Sequence, residues 1–147
     1  MILAAFLLFG CGFTQSMQVH ADDSLLNDIT SDYAYVIDYD TNQVLAEKNA
    51  DEKMYPASMT KIMTVLVAIE NLPDLDQTIQ ITSAMLEGLT ESNASVAGFQ
   101  QGDQPTVLDL LYGSALPSGA DASNALAFTV AGSVDNFVTM MNTKAQE

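Results

Sequence analysis

The sequence between Pro56 and Pro73 constrains the fold most, because it carries the pattern of one long helix. Proline suits the first helical turn, where its missing N–H would have had no partner. The second proline follows Asn71-Leu72 and stops the helix. Between these ends, five apolar side chains recur at helical spacing: Met59, Ile62, Met63, Leu66 and Ile69. One face of the helix is therefore apolar, and we expect that face to be buried.

The start of this helix brings a hydroxyl and an amine together. Ser58 and Lys61 are three residues apart, which on a helix separates their Cβ atoms by roughly 5–6 Å. A serine hydroxyl becomes nucleophilic when a base takes its proton, and a neutral lysine amine can be that base. Burial and the positive end of the helix dipole both favour the neutral amine. Backbone N–H groups of the same turn could stabilise an oxyanion. A bare Ser-x-x-Lys spacing is nevertheless common, with the serine as a helix-start residue and the lysine on the surface.

The first 21 residues predict an export signal. Residues 2–9 form an apolar run that is too short to anchor the chain in a bilayer, and Val19-His20-Ala21 resembles a cleavage site. We therefore expect residues 1–21 to be a signal peptide and the protein to be exported. The alternative is a lipoprotein box ending at Cys11, with that cysteine lipidated.

The composition excludes several kinds of site. The 147 residues contain 4 Lys plus Arg against 19 Asp plus Glu, a formal charge of −15, which disfavours binding to nucleic acid. Cys11 and His20 are the only residues of their types, and both precede the expected mature start at Asp22. A mature chain without Cys or His has no disulfide and no Ser-His-Asp triad, and it lacks the usual zinc ligands. We expect neither a metal nor another cofactor.

The remaining sequence predicts a hairpin and several short helices. Residues 33–38 and 43–47 have strand composition and are separated by turn residues. We expect a brief helix capped by Ser83, a helix capped by Thr106 with Asp109 at the capping-box position, and a short strand at 96–99. A last helix begins after Ser133 and reaches Glu147 without a stop signal. The chain is therefore expected to be the N-terminal part of a longer domain.

A second serine lies between two predicted helices. Leu116-Pro117-Ser118-Gly119 breaks one helix, and Asp121 can cap the next, which runs to about Ala131. Ser118 is therefore expected on an exposed tight turn, where its hydroxyl could face a cleft. The alternative is a simple connector whose serine bonds only to nearby backbone.

Both serine segments resemble motifs of one family. Tyr55-Pro56-Ala57-Ser58-Met59-Thr60-Lys61-Ile62-Met63-Thr64 closely resembles the active-site segment of the low-molecular-mass penicillin-binding proteins, the serine-type D-alanyl-D-alanine carboxypeptidases of peptidase family S11. The Ser118 turn resembles the second of that family's three motifs, and the resemblance extends over residues 33–147. It implies an α+β fold of the serine β-lactamase and DD-peptidase type, an antiparallel sheet with helices on both faces. Residues 22–147 would be the N-terminal part of that catalytic domain, incomplete at the C-terminus.

The resemblance also implies roles for the site residues. Ser58 would be the acyl-ester nucleophile, Lys61 the proton acceptor and Ser118 a proton relay. The substrate would be a peptidoglycan stem peptide ending in D-Ala-D-Ala, and β-lactams would inhibit by acylating the same serine. Such a protein would act in cell-wall biosynthesis and influence cell shape. It would lie outside the cell, in the wall or held at the membrane by a segment that these residues do not contain.

Two departures from the family pattern affect what we expect. The second motif is usually Ser-x-Asn, but its third position here is Ala120, so that an amide which normally touches substrate is missing. Ala120 and Asp121 are our candidate substrate-binding residues, with Asn124 as another stand-in. The third motif, Lys-Thr-Gly, is absent from the sequence. We expect the 147 residues alone to be inactive, because each lost donor to the transition state typically costs ~10²–10³-fold in rate.

Two other functions stay open at this point. A serine β-lactamase shares the Ser-x-x-Lys start and the fold, and differs in releasing the penicillin acyl group quickly. A non-catalytic cell-wall-binding module with the same fold would fit the replacement at Ala120. Sustained nitrocefin hydrolysis would indicate the lactamase, and peptide binding without D-alanine release would indicate the module.

Overall fold

The computed structural model describes residues 26–147, which fall into two compact units. One unit ends at Met54 and the other is Tyr55–Glu147. The predicted signal peptide and the alternative lipidation site at Cys11 lie outside the described residues.

The first unit contains the predicted hairpin. Strands β1 (Ala34–Ile37) and β2 (Val44–Lys48) are antiparallel, with Ala34 opposite Lys48. A bulge interrupts the register between Val36 and Ile37. The turn is held by Asp38, whose Oδ1 accepts the N–H of Thr41 at 2.8 Å and the Thr41 hydroxyl at 2.7 Å. The hairpin prediction is confirmed, with β1 shorter than expected.

The regular secondary structure of the second unit consists of helices. A 3-10 turn at Ala57–Met59 precedes five helices: α1 (Thr60–Asn71), α2 (Ser83–Leu86), α3 (Val107–Ala115), α4 (Ala120–Ala131) and α5 (Val134–Lys144). Within residues 26–147, every helix is too short or too polar to cross a membrane.

Helix α4 is central to the second unit, since α1, α2, α3 and α5 all contact it. Its alanines Ala122 and Ala125 are fully buried beside Leu126, and small side chains let neighbouring helices approach closely. Leu110 of α3 and Ala68 of α1 belong to the same core. A smaller cluster joins α1, α4 and α5 through Val67, Ala127 and Phe137. This packing fixes the turn before α4 relative to the start of α1.

The prediction for the buried face of α1 is wrong for four of its five residues, and only Met63 packs against the core. Ile62 is 71% exposed and Met59 60% exposed, whereas Thr64, Val67 and Ala68 are buried. The helix is apolar on most sides, so periodicity alone could not say which side meets α4. The closely packed interface selected the side with smaller residues.

The predicted helix ends were partly right. Thr106 caps α3 in a reciprocal box, with its Oγ1 accepting from Asp109 N at 3.1 Å and Asp109 Oδ2 accepting from Thr106 N at 2.9 Å. Ser133 caps α5 as expected. However, the N-cap of α2 is Thr82 rather than Ser83, and that of α4 is Gly119 rather than Asp121. The strand expected at residues 96–99 is not present.

Candidate active site

Ser58 lies in the 3-10 turn, one turn before the regular part of α1. The residue before it, Ala57, has φ of +50°, a left-handed conformation that costs a residue other than glycine about 1–3 kcal/mol. The turn is closed by a bond from Met59 N to Pro56 O of 3.1 Å. Ser58 itself is exposed. Ser58 lies at the start of the helix, as its sequence predicts, but no sequence signal indicates the left-handed residue before it.

Lys61 follows in the first turn of α1 and is half-buried. The two ion pairs in the described part of the chain both belong to Lys144, with Glu70 at 2.9 Å and Glu147 at 2.7 Å. No carboxylate among residues 26–147 therefore pairs with Lys61.

Ser118 occupies the turn between α3 and α4 with φ of +61°. Its Oγ is buried, and no hydrogen-bond partner for it lies among the described residues. A buried hydroxyl without a partner costs about 1–3 kcal/mol, so such groups in native proteins call for an explanation such as catalysis. The turn is therefore less exposed than expected, since Ser118 is half-buried and its hydroxyl is buried.

One cavity of about 450 Å³ is lined by Ser58, Lys61 and Ser118 together. Its remaining walls are apolar side chains from α1 and the end of α3: Ile62, Val65 and Ala115. Apolar walls around a few polar groups are typical of ligand sites, and excluding water strengthens electrostatic interactions inside them. The structure therefore brings together the three residues that we singled out for chemistry.

Asp121 does not take the substrate-binding place that we expected. It is only 1% exposed, and its carboxylate accepts the backbone N–H groups of Ala97, Gly98 and Phe99 at 2.8, 2.8 and 2.9 Å. Burial raises the pKa of this carboxyl, but these bonds and one from Ala122 outweigh it, so that the pKa lies below its ordinary value. The side chain therefore bonds to backbone within the fold, and it is not among the residues that line the cavity.

The other two candidate contacts near Asp121 have structural partners as well. Ala120 begins α4, is half-buried and donates its N–H to Ser95 O at 2.8 Å. It is not among the residues that line the cavity. The Asn124 amide donates to Met85 O at 3.0 Å and so ties α4 to α2. Asn124 therefore does not replace the missing amide of the second motif.

Sequence reasoning missed the close packing around the Ser118 turn. A Cβ on Gly119 would lie 2.6 Å from Gly113 O and 2.8 Å from Ala97 N, closer than real Cβ contacts come. Both Gly119 and the segment at 95–99 are therefore parts of the site's support. The only sequence signal for this close packing is the presence of glycine at positions 113 and 119, and glycine there also suits an ordinary turn.

In the described part of the chain, no three His, Cys, Asp or Glu side chains come together in a way that could hold a metal ion.

The sequence profile of the D-alanyl-D-alanine carboxypeptidase family, peptidase S11, matches residues 15–147. The chain belongs to this family. It is 40% identical over 114 residues to the D-alanyl-D-alanine carboxypeptidase DacF of Bacillus subtilis, a match that covers 78% of this chain and 29% of the relative. The family that the Ser58 and Ser118 segments indicated is therefore confirmed.

Solved structures of the family share the fold. Penicillin binding protein 5 from Haemophilus influenzae aligns with a TM-score of 0.72 and 32% identity, over 80% of this chain and 35% of that one. The Streptomyces K15 DD-transpeptidase aligns with a TM-score of 0.70 and 38% identity, over 76% of this chain and 45% of that one. The predicted DD-peptidase fold class is thus confirmed. The chain spans less than half the length of each of these proteins.

Proposed function

We propose that the whole protein is a serine-type D-Ala-D-Ala carboxypeptidase that removes the terminal D-alanine from peptidoglycan stem peptides. Family membership supports the reaction class. We assign the reaction to particular residues because Ser58, Lys61 and Ser118 line one cavity together. A nucleophile, a base and a proton relay are the groups that acyl transfer from an amide requires.

The first half of the proposed reaction forms an acyl-enzyme. Ser58 Oγ attacks the carbonyl carbon of the penultimate D-alanine while its proton passes to the amine of Lys61. The tetrahedral oxyanion accepts hydrogen bonds from backbone N–H groups at the start of α1, where the helix dipole is positive. As the C–N bond breaks, the terminal D-alanine leaves with a proton on its nitrogen.

Ser118 suits the transfer of that proton. Its buried Oγ lacks a partner among the described residues, so a substrate nitrogen or the Lys61 amine would supply the bond that is missing. In the proposal, Ser118 takes a proton from Lys61 and gives its own to the leaving nitrogen. Water then hydrolyses the Ser58 ester, which yields the shortened peptide and restores the hydroxyl.

A β-lactam would follow the same first step. Attack by Ser58 on the lactam carbonyl opens the ring, and the leaving nitrogen stays attached to the acyl group. We propose that the whole protein binds penicillin in this way and acts outside the cell, in the wall or at the membrane, where peptidoglycan lies. The expected signal peptide in residues 1–21 supports this location.

Labelling of the whole protein with a fluorescent penicillin tests the proposal. We expect stoichiometric labelling at Ser58, none in Ser58→Ala, and a rate about 10²–10⁴-fold lower in Lys61→Ala, since a general base contributes that much. The matched control is Lys53→Ala, at an exposed lysine, which should stay within about twofold of wild type. Undiminished labelling of Lys61→Ala would overturn the assignment of the base.

The non-catalytic module is the second candidate, favoured by Ala120 in place of the usual asparagine. Release of D-alanine from a stem-peptide analogue separates the two. A carboxypeptidase releases it catalytically and hydrolyses nitrocefin slowly, because its acyl-enzyme is long-lived. A binding module takes up the peptide and releases nothing.

A further inference from the structure

Asp121 is a buried carboxylate outside the three residues to which the proposed reaction assigns roles. It lies in the first turn of α4 and reaches a segment more than twenty residues earlier in the chain. There it accepts from three consecutive backbone N–H groups, those of Ala97, Gly98 and Phe99. A fourth bond comes from Ala122 N at 2.9 Å. The carboxylate thus joins the start of α4 to a segment without regular structure.

The charge on Asp121 matters for this contact. Both of its oxygens accept from N–H groups, and a charged acceptor makes such bonds roughly twice as strong as a neutral one does. The N-terminus of α4 adds a favourable dipole. An asparagine of the same shape would keep one acceptor and turn an NH₂ group toward N–H donors. Asp121→Asn therefore loses the charge and the bonds at one oxygen, and so weakens the contact with little change in volume.

The same segment is bonded to the turn that carries Ser118. Ala120 N donates to Ser95 O at 2.8 Å, and a Cβ on Gly119 would lie 2.8 Å from Ala97 N. The turn lies directly against the carboxylate, because a Cβ on Gly119 would be 2.7 Å from Asp121 Oδ1. Residues 95–99 therefore pack directly against this turn, which cannot stay in place if they move.

We propose that Asp121 is a positioning residue for Ser118. Its carboxylate holds residues 95–99 against the turn at 117–120 and thereby holds the left-handed backbone of Ser118, whose φ is +61°. This backbone sets where the hydroxyl lies relative to the cavity shared with Ser58 and Lys61. The catalytic consequence rests on the proposed function, whereas the contact with residues 97–99 is a property of the fold alone.

The test compares Asp121→Asn with Asp109→Asn in the whole protein. Asp109 is an exposed carboxylate that also accepts from backbone, at Thr106 N, and it completes the capping box of α3. Two quantities are measured in folded samples: amide hydrogen exchange, and the rate constant for acylation by penicillin at saturation. We expect Asp121→Asn to lose protection at Ala97, Gly98 and Phe99.

For the same variant we expect acylation to slow by about 10²-fold, the typical effect of a misplaced catalytic group. The penicillin concentration at half-saturation should change little, since Ser118 acts in the chemical step. Asp109→Asn should lose protection only at the start of α3 and keep the wild-type acylation rate. A folded Asp121→Asn that acylates at the wild-type rate would overturn the proposal.

A double-mutant cycle distinguishes positioning of Ser118 from general destabilisation. If Asp121 acts through Ser118, then adding Asp121→Asn to Ser118→Ala slows acylation no further. An equal loss in both backgrounds contradicts that route. If Asp121→Asn does not fold, Asp121→Glu serves instead, because it keeps the charge but displaces it by one methylene. We expect this variant to lose less of the acylation rate, and the loss should again disappear in the Ser118→Ala background. Wild-type acylation by folded Asp121→Glu would overturn the proposal.

The two proposals fail in different ways. A wild-type protein that penicillin does not acylate removes the proposed function, and with it the catalytic half of this inference. The exchange measurement still decides the structural half, because it needs no activity. Unchanged protection at residues 97–99 in Asp121→Asn would remove the structural half even in an active enzyme.

Discussion

The two serines of the cavity are each associated with an unusual backbone conformation. Among the described residues other than glycine, five have positive φ, and three of these are the asparagines Asn42, Asn49 and Asn93, for which the left-handed region is ordinary. The other two are Ala57, directly before Ser58, and Ser118 itself. Each costs about 1–3 kcal/mol and persists only where the surroundings over-determine it. Strain at these two positions therefore agrees with a role in chemistry.

Asp121 should make stability depend on acid pH. Burial raises its pKa, but the bonds from Ala97, Ala122, Gly98 and Phe99 outweigh this and hold the pKa below the ordinary value of 3.8. The unfolded chain then binds the proton more tightly than the folded one does. The contribution of the carboxylate to stability is complete above about pH 4 and is lost as the pH falls through the lower folded value.

Urea unfolding of wild type and Asp121→Asn between pH 7 and pH 3 measures this contribution. The difference in the free energy of unfolding should be constant at neutral pH and shrink at the acid end. A difference that stays constant down to pH 3 would contradict the assignment of a lowered pKa to Asp121.

At the scale of elements, the junction of α3, α4 and residues 95–99 depends on small residues. A Cβ on Gly119 would lie 2.6 Å from Gly113 O, and one on Gly113 would lie 2.8 Å from Phe99 Cε2. Ser123 Oγ donates to Gly119 O at 2.7 Å and pairs with Ser114 Oγ at 2.9 Å, which adds a polar contact between the two helices. The turn between them is held on several sides, as the proton relay that we propose for Ser118 would require.

Gly119→Ala should disrupt this junction. Its new methyl group would meet backbone atoms, which cannot move aside as a flexible side chain can, so we expect a loss of about 1–3 kcal/mol in unfolding free energy and slower acylation by penicillin. Gly132→Ala is the matched control. It has φ of +76° but open space around the added Cβ, so that it should cost about 1–2 kcal/mol for conformation alone and leave acylation unchanged.

The two substitutions are compared by two measurements at a temperature where both variants are folded. Denaturant unfolding gives the unfolding free energy, and penicillin labelling gives the acylation rate. Equal acylation rates for Gly119→Ala and Gly132→Ala would show that the close contact at the turn does not matter to the site.

At the scale of the whole molecule, the 147 residues contain segments that resemble two of the family's three motifs, those of Ser58 and Ser118. The match to DacF covers 29% of that protein. The sequence contains no Lys-Thr-Gly, and its last lysine, Lys144, is paired with Glu70 and Glu147. Ile62 and Leu66 on α1 and Met59 just before it are exposed apolar side chains on one side of this segment.

We expect the 147-residue chain by itself not to be labelled by a fluorescent penicillin. Each missing donor to the transition state typically costs ~10²–10³-fold in rate, and the Lys-Thr-Gly motif that the family resemblance implies does not occur in these 147 residues. Gel fluorescence after incubation with the probe, with the whole protein as the positive control, measures the result. Stoichiometric labelling of Ser58 in the short chain would contradict the expectation.

The local features of this protein could be predicted from its sequence. The hairpin, the Thr106 and Asp109 box and the Ser133 cap all follow from groups within a few residues of one another. The Ser58 and Lys61 pair was predictable for the same reason, as was family membership, because ten consecutive residues carry the motif.

Only the tertiary structure decided which side of α1 is buried, where the Ser118 hydroxyl lies and what Asp121 does. Each depends on groups far apart in the chain: the Asp121 carboxylate meets the N–H of Ala97 across 24 positions. Periodicity and capping rules describe one element at a time, so an apolar stripe or a helix-start aspartate has several satisfactory partners until the elements pack. Packing selects one of them, because buried polar groups must be paired and adjacent backbones must fit.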